Sequence, residues 1–172
     1  GAAGCGAMSR AVRYERQGPV GEIVLDRPEG RNSMTPELLE AFGEAACAAA
    51  GDADLRCLIV RGEGRCFSAG ADLKANLQTG SGLPHERSYA MYAPFLSLVD
   101  LEVPIVGALN GHAVGGGFGL ALTCDIRIGA RDAKYGANFA RLGFGSGMAI
   151  SYVRPRLVGV SRAAEMLFTG KL

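Results

Sequence analysis

Two glycine-rich segments hold the residues best suited to chemistry on a carbonyl group. They are residues 66–73, Cys-Phe-Ser-Ala-Gly-Ala-Asp-Leu, and residues 110–117, Asn-Gly-His-Ala-Val-Gly-Gly-Gly. Each is predicted to join a buried strand to a helix, where backbone N–H groups lack intrahelical partners at the positive end of the helix dipole. Two such donors on one oxygen form an oxyanion hole, and each is worth roughly a hundredfold to a thousandfold in rate. Tight turns or close helix contacts explain the same glycines equally well.

The familiar catalytic motifs are not in the sequence. It has no dinucleotide-binding G-x-G-x-x-G, no P-loop, no G-x-S-x-G nucleophile elbow and no H-E-x-x-H. The chain has two histidines, His85 and His112, so a histidine-based metal site is not expected. The two glycine-rich segments therefore remain the best candidates for a functional site.

The other reactive side chains each have a structural interpretation that we favour. Asp125 at the end of a predicted helix suits an ion pair or a turn, and His112 at a strand-to-helix turn suits a hydrogen-bonded imidazole. Tyr135 beside a glycine is typical of core packing. Cys66 and Cys124 lie among apolar neighbours, which is typical of inert filling. No catalytic base stands out.

The composition indicates one ordinary globular domain. The chain has 172 residues, 48% of them apolar, and its 18 Lys and Arg against 17 Asp and Glu leave a formal charge of +1. This balance argues against intrinsic disorder and gives no reason to expect a nucleic acid or an anionic membrane as a partner. Glycine is the outlier, because its 26 residues are about twice the average usage.

The cysteines and the N-terminus indicate the setting of the chain. Its five cysteines are odd in number and form no C-x-x-C pair, so we expect a reducing, cytoplasmic location rather than a disulfide framework or a zinc knuckle. Residues 1–7 are small and uncharged without an apolar core, which is typical of a tag or upstream remnant. We therefore place one domain over residues 8–172.

One uncharged stretch, residues 103–124, is long enough to span a bilayer. Pro104, Asn110, His112 and six glycines interrupt it, and no Lys/Arg cluster or aromatic belt flanks it. A buried strand followed by a buried helix explains the stretch better, so no membrane partner is expected.

Hydrophobic periodicity predicts short strands that alternate with helices. Predicted strands cover residues 12–16, 20–25, 58–60, 105–109 and 126–128, and predicted helices cover 36–51, 89–99, 116–124 and 150–157. A last helix is predicted from a cap at Ser161 to a stop at Gly170. Short parallel strands joined by helices imply an α/β fold.

Several ordered motifs together resemble the enoyl-CoA hydratase/isomerase (crotonase) family. Residues 67–73 and 110–117 are followed by Cys-Asp-Ile-Arg at 124–127 and by Tyr-Gly at 135–136. Supporting matches are Leu-Asp-Arg-Pro at 25–28 with Asn32 upstream, and Arg-Leu-Val-Gly at 156–159 with Thr169-Gly170 downstream. The resemblance covers residues 12–172 and implies a crotonase-like spiral of ββα units that binds an acyl-CoA.

The resemblance also implies roles for particular residues. The main-chain N–H groups of Ala71 and Gly116 would hold the thioester carbonyl, and CoA would enter as part of the substrate, without a separate cofactor or metal. The residues expected to contact CoA are Arg31, Ala69, Gly70, Asp72 and Leu73. A solvated turn explains Arg31 equally well, and for Asp72 we favour a helix cap.

The sequence departs from the hydratases of this family at both acid–base positions. The resemblance implies glutamates at two positions where this chain has Gly119 and Phe139. Glycine and phenylalanine can neither activate water nor protonate a carbon. We therefore expect isomerisation or another enolate reaction rather than hydration, with a catalytically silent CoA-binding or assembly protein as the alternative. The usual proline-glycine of the acyl-pocket loop is replaced by Ser146-Gly147.

The resemblance also bears on assembly. The family usually continues into further helices that cover the active site and build trimers or hexamers. This sequence ends at Leu172, so we expect a C-terminal helical region that is missing or shortened, and a homotrimer or hexamer where those helices exist.

Overall fold

The computed structural model describes residues 11–71 and 83–172. The strands of this part are β1 (Val12–Gln17), β2 (Val20–Leu25), β3 (Cys57–Gly62), β4 (Cys66–Ser68), β5 (Ile105–Leu109), β6 (His112–Val114), β7 (Ile126–Gly129) and β8 (Tyr135–Gly136). Its helices are α1 (Pro36–Ala50), α2 (Pro84–Leu96), α3 (Gly116–Thr123), α4 (Ile150–Val158) and α5 (Val160–Thr169). Short 3-10 turns cover Pro28–Gly30, Ser97–Asp100 and Phe139–Leu142.

The strands form two sheets. The larger has the order β1-β2-β3-β5-β7, with β1 antiparallel to β2 and every later pair parallel. The smaller has the order β4-β6-β8 and is parallel throughout. From β3 onward, each consecutive pair of strands gives one strand to each sheet, so the chain advances as a spiral of ββα units. The α/β prediction is confirmed.

Helix α1 packs against β1 and β2 of the larger sheet, and the sequence around its start favours a helix that begins at Pro36. The Thr35 side chain accepts a hydrogen bond from Leu38 N, and Pro36 occupies the first helical position, where no N–H is needed. Its apolar face is buried, and Phe42 packs edge-on against Phe95 of α2 with ring centroids 4.7 Å apart. This contact joins α1 to the helix that forms one wall of the site.

The structure extends one prediction about local structure and corrects another. Residues 110–117 directly follow β5, and residues 66–73 follow β3 after a short turn, but the two segments also contain β6 and β4 of the smaller sheet. The predicted cap Ser161 is wrong. Helix α5 begins at Val160 with Gly159 as its cap, since Gly159 with a φ of +82° ends one helix and starts the next.

The uncharged stretch at 103–124 is divided among three elements, β5, β6 and α3. Across the described ranges, no helix has the length and apolar character that crossing a membrane requires.

Candidate functional site

Backbone hydrogen bonds fix the end of the first glycine-rich segment against the turn that precedes α1. Ala69 N donates to Arg31 O at 3.0 Å, and Met34 N donates to Gly70 O at 2.9 Å. Met34 also pairs with Ala71 in an isolated parallel bridge. These bonds leave Ala71 at a fixed place beside the turn.

The side chain of Asn32 holds this turn in place through hydrogen bonds. It is fully buried, its Oδ1 accepts from Arg27 N at 2.8 Å, and its Nδ2 donates to Cys66 O at 2.8 Å and to Glu63 O at 3.1 Å. Its own carbonyl accepts a hydrogen bond of 2.8 Å from Ser68 Oγ. The resemblance to the family includes Asn32 but implies no role for it. Its positive φ of 51° is a conformation that asparagine tolerates better than most residues.

Gly70 brings the two glycine-rich segments into contact. It has a φ of +82°, and a Cβ placed on it would lie 2.4 Å from Val114 O and 3.1 Å from Gly116 N. No side chain fits at such distances, so only glycine allows the backbone that carries Ala71 to approach the start of α3 this closely.

The start of α3 is held equally tightly. Gly115 N donates to Gly136 O at 2.9 Å, which ties the turn to β8. A Cβ on Gly117 would lie 2.4 Å from Ser68 O, so the first turn of the helix presses on β4. Within residues 11–71 and 83–172, the N–H groups of Ala71 and Gly116 have no hydrogen-bond partner.

Ala71 and Gly116 line one cavity of about 720 Å³. The other lining residues are Ala69, His85, Arg87, Ser88, Met91, Tyr92, Gly115, Asn138, Phe139, Leu142, Phe144, Gly145, Ser146 and Gly147. This lining is rich in apolar and aromatic side chains, and its described part includes no carboxylate. Such a cavity can hold an apolar chain beside two backbone donors.

A second cavity of about 690 Å³ shares Ala69 and Ala71 with the first. It is also lined by Arg31 and Lys134, and among the described residues neither cation has a carboxylate within 4 Å. Glu29, the acidic residue of this lining, forms an ion pair with Arg27 instead. Unpaired cations of this kind can bind phosphate.

The two positions expected to hold glutamates are occupied by apolar groups. A Cβ on Gly119 would lie 2.3 Å from the Cβ of Met148, which is 4% exposed. Phe139 forms part of the wall of the 720 Å³ cavity. Sequence reasoning could not foresee the contact with Met148, because it joins α3 to a loop far along the chain.

The other reactive side chains have structural partners. His112 Nδ1 accepts from Lys134 N at 2.9 Å, and the Tyr135 hydroxyl donates to a backbone carbonyl at 2.8 Å. Asp125 Oδ2 accepts from Ile105 N at 2.8 Å. Asp125 N also donates to Ile105 O at 2.9 Å, so Asp125 ties the residue before β7 to the start of β5 and has a structural role, although this contact between distant segments is not the predicted turn.

Cys66 and Cys124 are both buried, as predicted. Burial raises the pKa of both thiols, that of Cys124 to about 12, so both stay protonated at neutral pH. Asp72 and Leu73 lie outside the described residues. In the ranges described, no group of three His, Cys, Asp or Glu side chains could hold a metal ion.

A family model described as Enoyl-CoA hydratase/isomerase matches residues 15–172. The chain belongs to the enoyl-CoA hydratase/isomerase family. This membership confirms the resemblance drawn from the ordered motifs.

Two curated relatives give the scale of the similarity. The Mycobacterium tuberculosis protein named "Probable enoyl-CoA hydratase EchA14" is 39% identical over 145 residues, which cover 83% of this chain and 56% of the relative. The Salmonella enteritidis protein named "Carnitinyl-CoA dehydratase" is 35% identical over 165 residues, which cover 95% of this chain and 62% of the relative. The chain therefore spans about three fifths of the length of these members of the family.

Solved structures of the enoyl-CoA hydratase/isomerase family share the fold. An enoyl-CoA hydratase from Bacillus anthracis superimposes with a TM-score of 0.85 at 31% identity, covering 92% of this chain and 62% of that one. An enoyl-CoA hydratase from Thermoplasma volcanium gives a TM-score of 0.83 at 31% identity, covering 95% and 65%. The predicted crotonase-like fold is confirmed.

Proposed function

We propose that this chain binds acyl-CoA thioesters and polarises the thioester carbonyl with the N–H groups of Ala71 and Gly116. The observation that carries the proposal is the one cavity lined by both residues, whose N–H groups have no partner within the described chain. Negative charge develops on the carbonyl oxygen when the α-carbon loses a proton or the β-carbon is attacked. Donors fixed in place before the reaction stabilise that charge without reorganising.

The two cavities determine the orientation of the proposed ligand, because they suit its two ends differently. The acyl chain lies in the apolar 720 Å³ cavity, and the CoA phosphates lie in the 690 Å³ cavity that contains Arg31 and Lys134. Ala69 borders both cavities, and Gly70 allows the two segments to approach each other closely. CoA is then part of the substrate and no separate cofactor is needed. Roles for Asp72 and Leu73 stay predictions.

We further propose an isomerase-like or other enolate reaction rather than hydration. Gly119 has no side chain and is covered by Met148, and Phe139 offers no proton-transfer group. Hydration needs one group to activate water and another to protonate the α-carbon, and neither position can supply one. Isomerisation moves a single proton from the α-carbon to the γ-carbon, so one proton-carrying group outside positions 119 and 139 is enough for it. The relatives named hydratase and dehydratase support acyl-CoA chemistry, but their names do not support isomerisation in particular.

A catalytically silent thioester-binding protein is the second candidate. It is favoured by the described cavity lining, which contains no carboxylate. Both candidates bind acyl-CoA, so only turnover separates them. Assembly into a homotrimer or hexamer stays a prediction under either.

Two variants at Gly116 test the polarising role. A Cβ at this position would meet Met34 Sδ at 2.4 Å, so Gly116→Ala and Gly116→Pro introduce the same contact. Only proline removes the N–H, and it suits the first position of a helix. We expect Gly116→Pro to lower turnover, or thioester affinity if the protein is silent, about a hundredfold below Gly116→Ala. Equal values for the two folded variants would remove Gly116 from the mechanism.

Turnover is measured with 2-enoyl-CoA and 3-enoyl-CoA esters by the absorbance of the conjugated thioester. The proposal predicts that absorbance rises with the 3-enoyl ester and persists with the 2-enoyl ester. A rapid loss of absorbance with the 2-enoyl ester would contradict the proposed chemistry. No change with either ester, despite binding, would favour the silent candidate.

A further inference from the structure

Asn138 is a polar side chain of the 720 Å³ cavity that the proposed function leaves unused. It directly precedes the 3-10 turn Phe139–Leu142, and its backbone carbonyl accepts from Arg141 N at 3.1 Å. Asparagine at such a position commonly caps the turn with its side chain, but this side chain makes no capping bond. Across residues 11–71 and 83–172, the Asn138 carboxamide has no hydrogen-bond partner. It is therefore free to bind a ligand in the cavity.

The register of the smaller sheet places Asn138 beside the proposed oxyanion hole. Val114 of β6 pairs with Gly136 of β8, and Gly115 N donates to Gly136 O at 2.9 Å. The chain leaves these two strands side by side, so the residues after β8 lie next to the start of α3. A Cβ on Gly115 would lie 3.7 Å from Asn138 Oδ1. Gly115 directly precedes Gly116, whose N–H is one of the two proposed donors.

A carboxamide at this place can donate hydrogen bonds as well as accept them. Its NH₂ group carries two donors and its oxygen accepts, and a half-turn about the terminal side-chain bond exchanges the two groups. A Cβ on Gly115 would also lie 3.9 Å from Phe139 Cζ, so an apolar ring borders the same spot and limits its hydration. Hydrogen bonds are electrostatically stronger in such surroundings. Asparagine side chains can act as oxyanion donors in the same way as backbone N–H groups.

We propose that Asn138 is a third hydrogen-bond donor to the thioester oxygen, with Nδ2–H acting together with the N–H groups of Ala71 and Gly116. The inference rests on the proposed function, since the two backbone donors hold the same oxygen there. Charge on this oxygen increases as an enolate forms, so the donor stabilises the transition state more than the bound thioester. Asn138 transfers no proton, and its catalytic role does not depend on a carboxylate at position 119 or 139.

Infrared spectroscopy of bound butyryl-CoA labelled with ¹³C at the carbonyl tests the third donor. Asn138→Leu keeps a side chain of similar size and removes both donors, and Asn138→Asp keeps the shape but, when ionised, only accepts. We expect both variants to reduce the shift of the bound carbonyl to lower frequency. We also expect both to lower any turnover of a 3-enoyl-CoA ester about a hundredfold.

Ala140→Leu is the matched control. Ala140 is an exposed residue of the same 3-10 turn and lines neither cavity, so this variant should keep the wild-type carbonyl shift. The Asn138 side chain has no partner in the described chain, so all three variants should also keep the wild-type midpoint of urea denaturation.

Two results would overturn the inference alone: a wild-type carbonyl shift in Asn138→Leu, or an equal loss of the shift in Asn138→Leu and Ala140→Leu. Either result would leave the two backbone donors in place. A wild-type protein that does not bind butyryl-CoA, or binds it with the carbonyl frequency of the free thioester, would instead overturn the proposed function on which the inference rests.

Discussion

The proposed oxyanion hole and the neighbouring positions 119 and 139 differ in what surrounds them. Beside Ala71, a Cβ on Gly70 would meet only backbone atoms, those of Val114 and Gly116, whereas a Cβ on Gly116 itself would meet the side chains of Met34 and Tyr92. At 119 and 139 the space is filled by the side chains of Met148 and Phe139. The fold itself fixes the positions of backbone N–H groups, whereas a side chain can be replaced without a change in the backbone. A site of this kind can therefore keep the groups that would polarise a carbonyl and lose the side chains that would transfer protons.

The largest expected effect comes from separating the two backbone segments. In Gly70→Ala, the new methyl group would meet Val114 O in a left-handed backbone conformation. We expect a loss of at least about 3 kcal/mol in the free energy of unfolding, from steric overlap added to the left-handed conformation. Urea denaturation measures it.

Gly18→Ala is the matched control for this variant. Gly18 also has a positive φ, +58°, but a Cβ there would meet nothing within 4 Å. We expect it to cost about 1–2 kcal/mol, the conformational part alone. Equal losses for the two variants would show that the contact between the segments contributes nothing.

A smaller effect is expected at position 119, where the side chain of Met148 fills the space. Gly119→Ala should destabilise the protein by about 1–3 kcal/mol, because its methyl group overlaps Met148. Met148→Gly removes the obstructing group, so the two substitutions together should cost at least about 1 kcal/mol less than the sum of their separate costs. Additive costs in the double-mutant cycle would show that Met148 does not close position 119.

The smallest effect is expected at Arg31, in the 690 Å³ cavity. Arg31→Ala should weaken CoA binding about three- to tenfold at low salt, because an exposed charge contributes modestly. Added salt should shrink the difference. Arg162→Ala on α5 is the control, since Arg162 is exposed and lines neither cavity. Calorimetry with CoA measures both, and unchanged affinity in Arg31→Ala would exclude a phosphate contact there.

Local patterns in the sequence predicted much of the fold. The bounds predicted for β2 and β5 agree with the structure, and the Thr35 cap with its following proline marks the start of α1. These features depend on neighbours along the chain. Strands β4, β6 and β8 went unpredicted because two or three residues are too few to show a period.

The site was predictable only in its backbone part. The glycine-rich motifs indicated the two segments, and the resemblance to the family implied Ala71 and Gly116 within them. The structure places both residues beside one cavity. The anchoring of the turn by Asn32, the cover on Gly119 and the hydroxyl of Tyr92 depend on contacts between distant segments. No local pattern in the sequence indicates that the hydroxyl of Tyr92 reaches a cavity.

The central claim is that the backbone of this chain polarises a thioester carbonyl in a site whose positions 119 and 139 carry no carboxylate. Isotope-edited infrared spectroscopy of butyryl-CoA labelled with ¹³C at the carbonyl tests it most directly. Bound to the wild-type protein, the carbonyl stretch should move to lower frequency than in water, and Gly116→Pro should reduce that shift while Gly116→Ala keeps it. A carbonyl frequency in the wild-type complex equal to that of the free thioester would contradict the account.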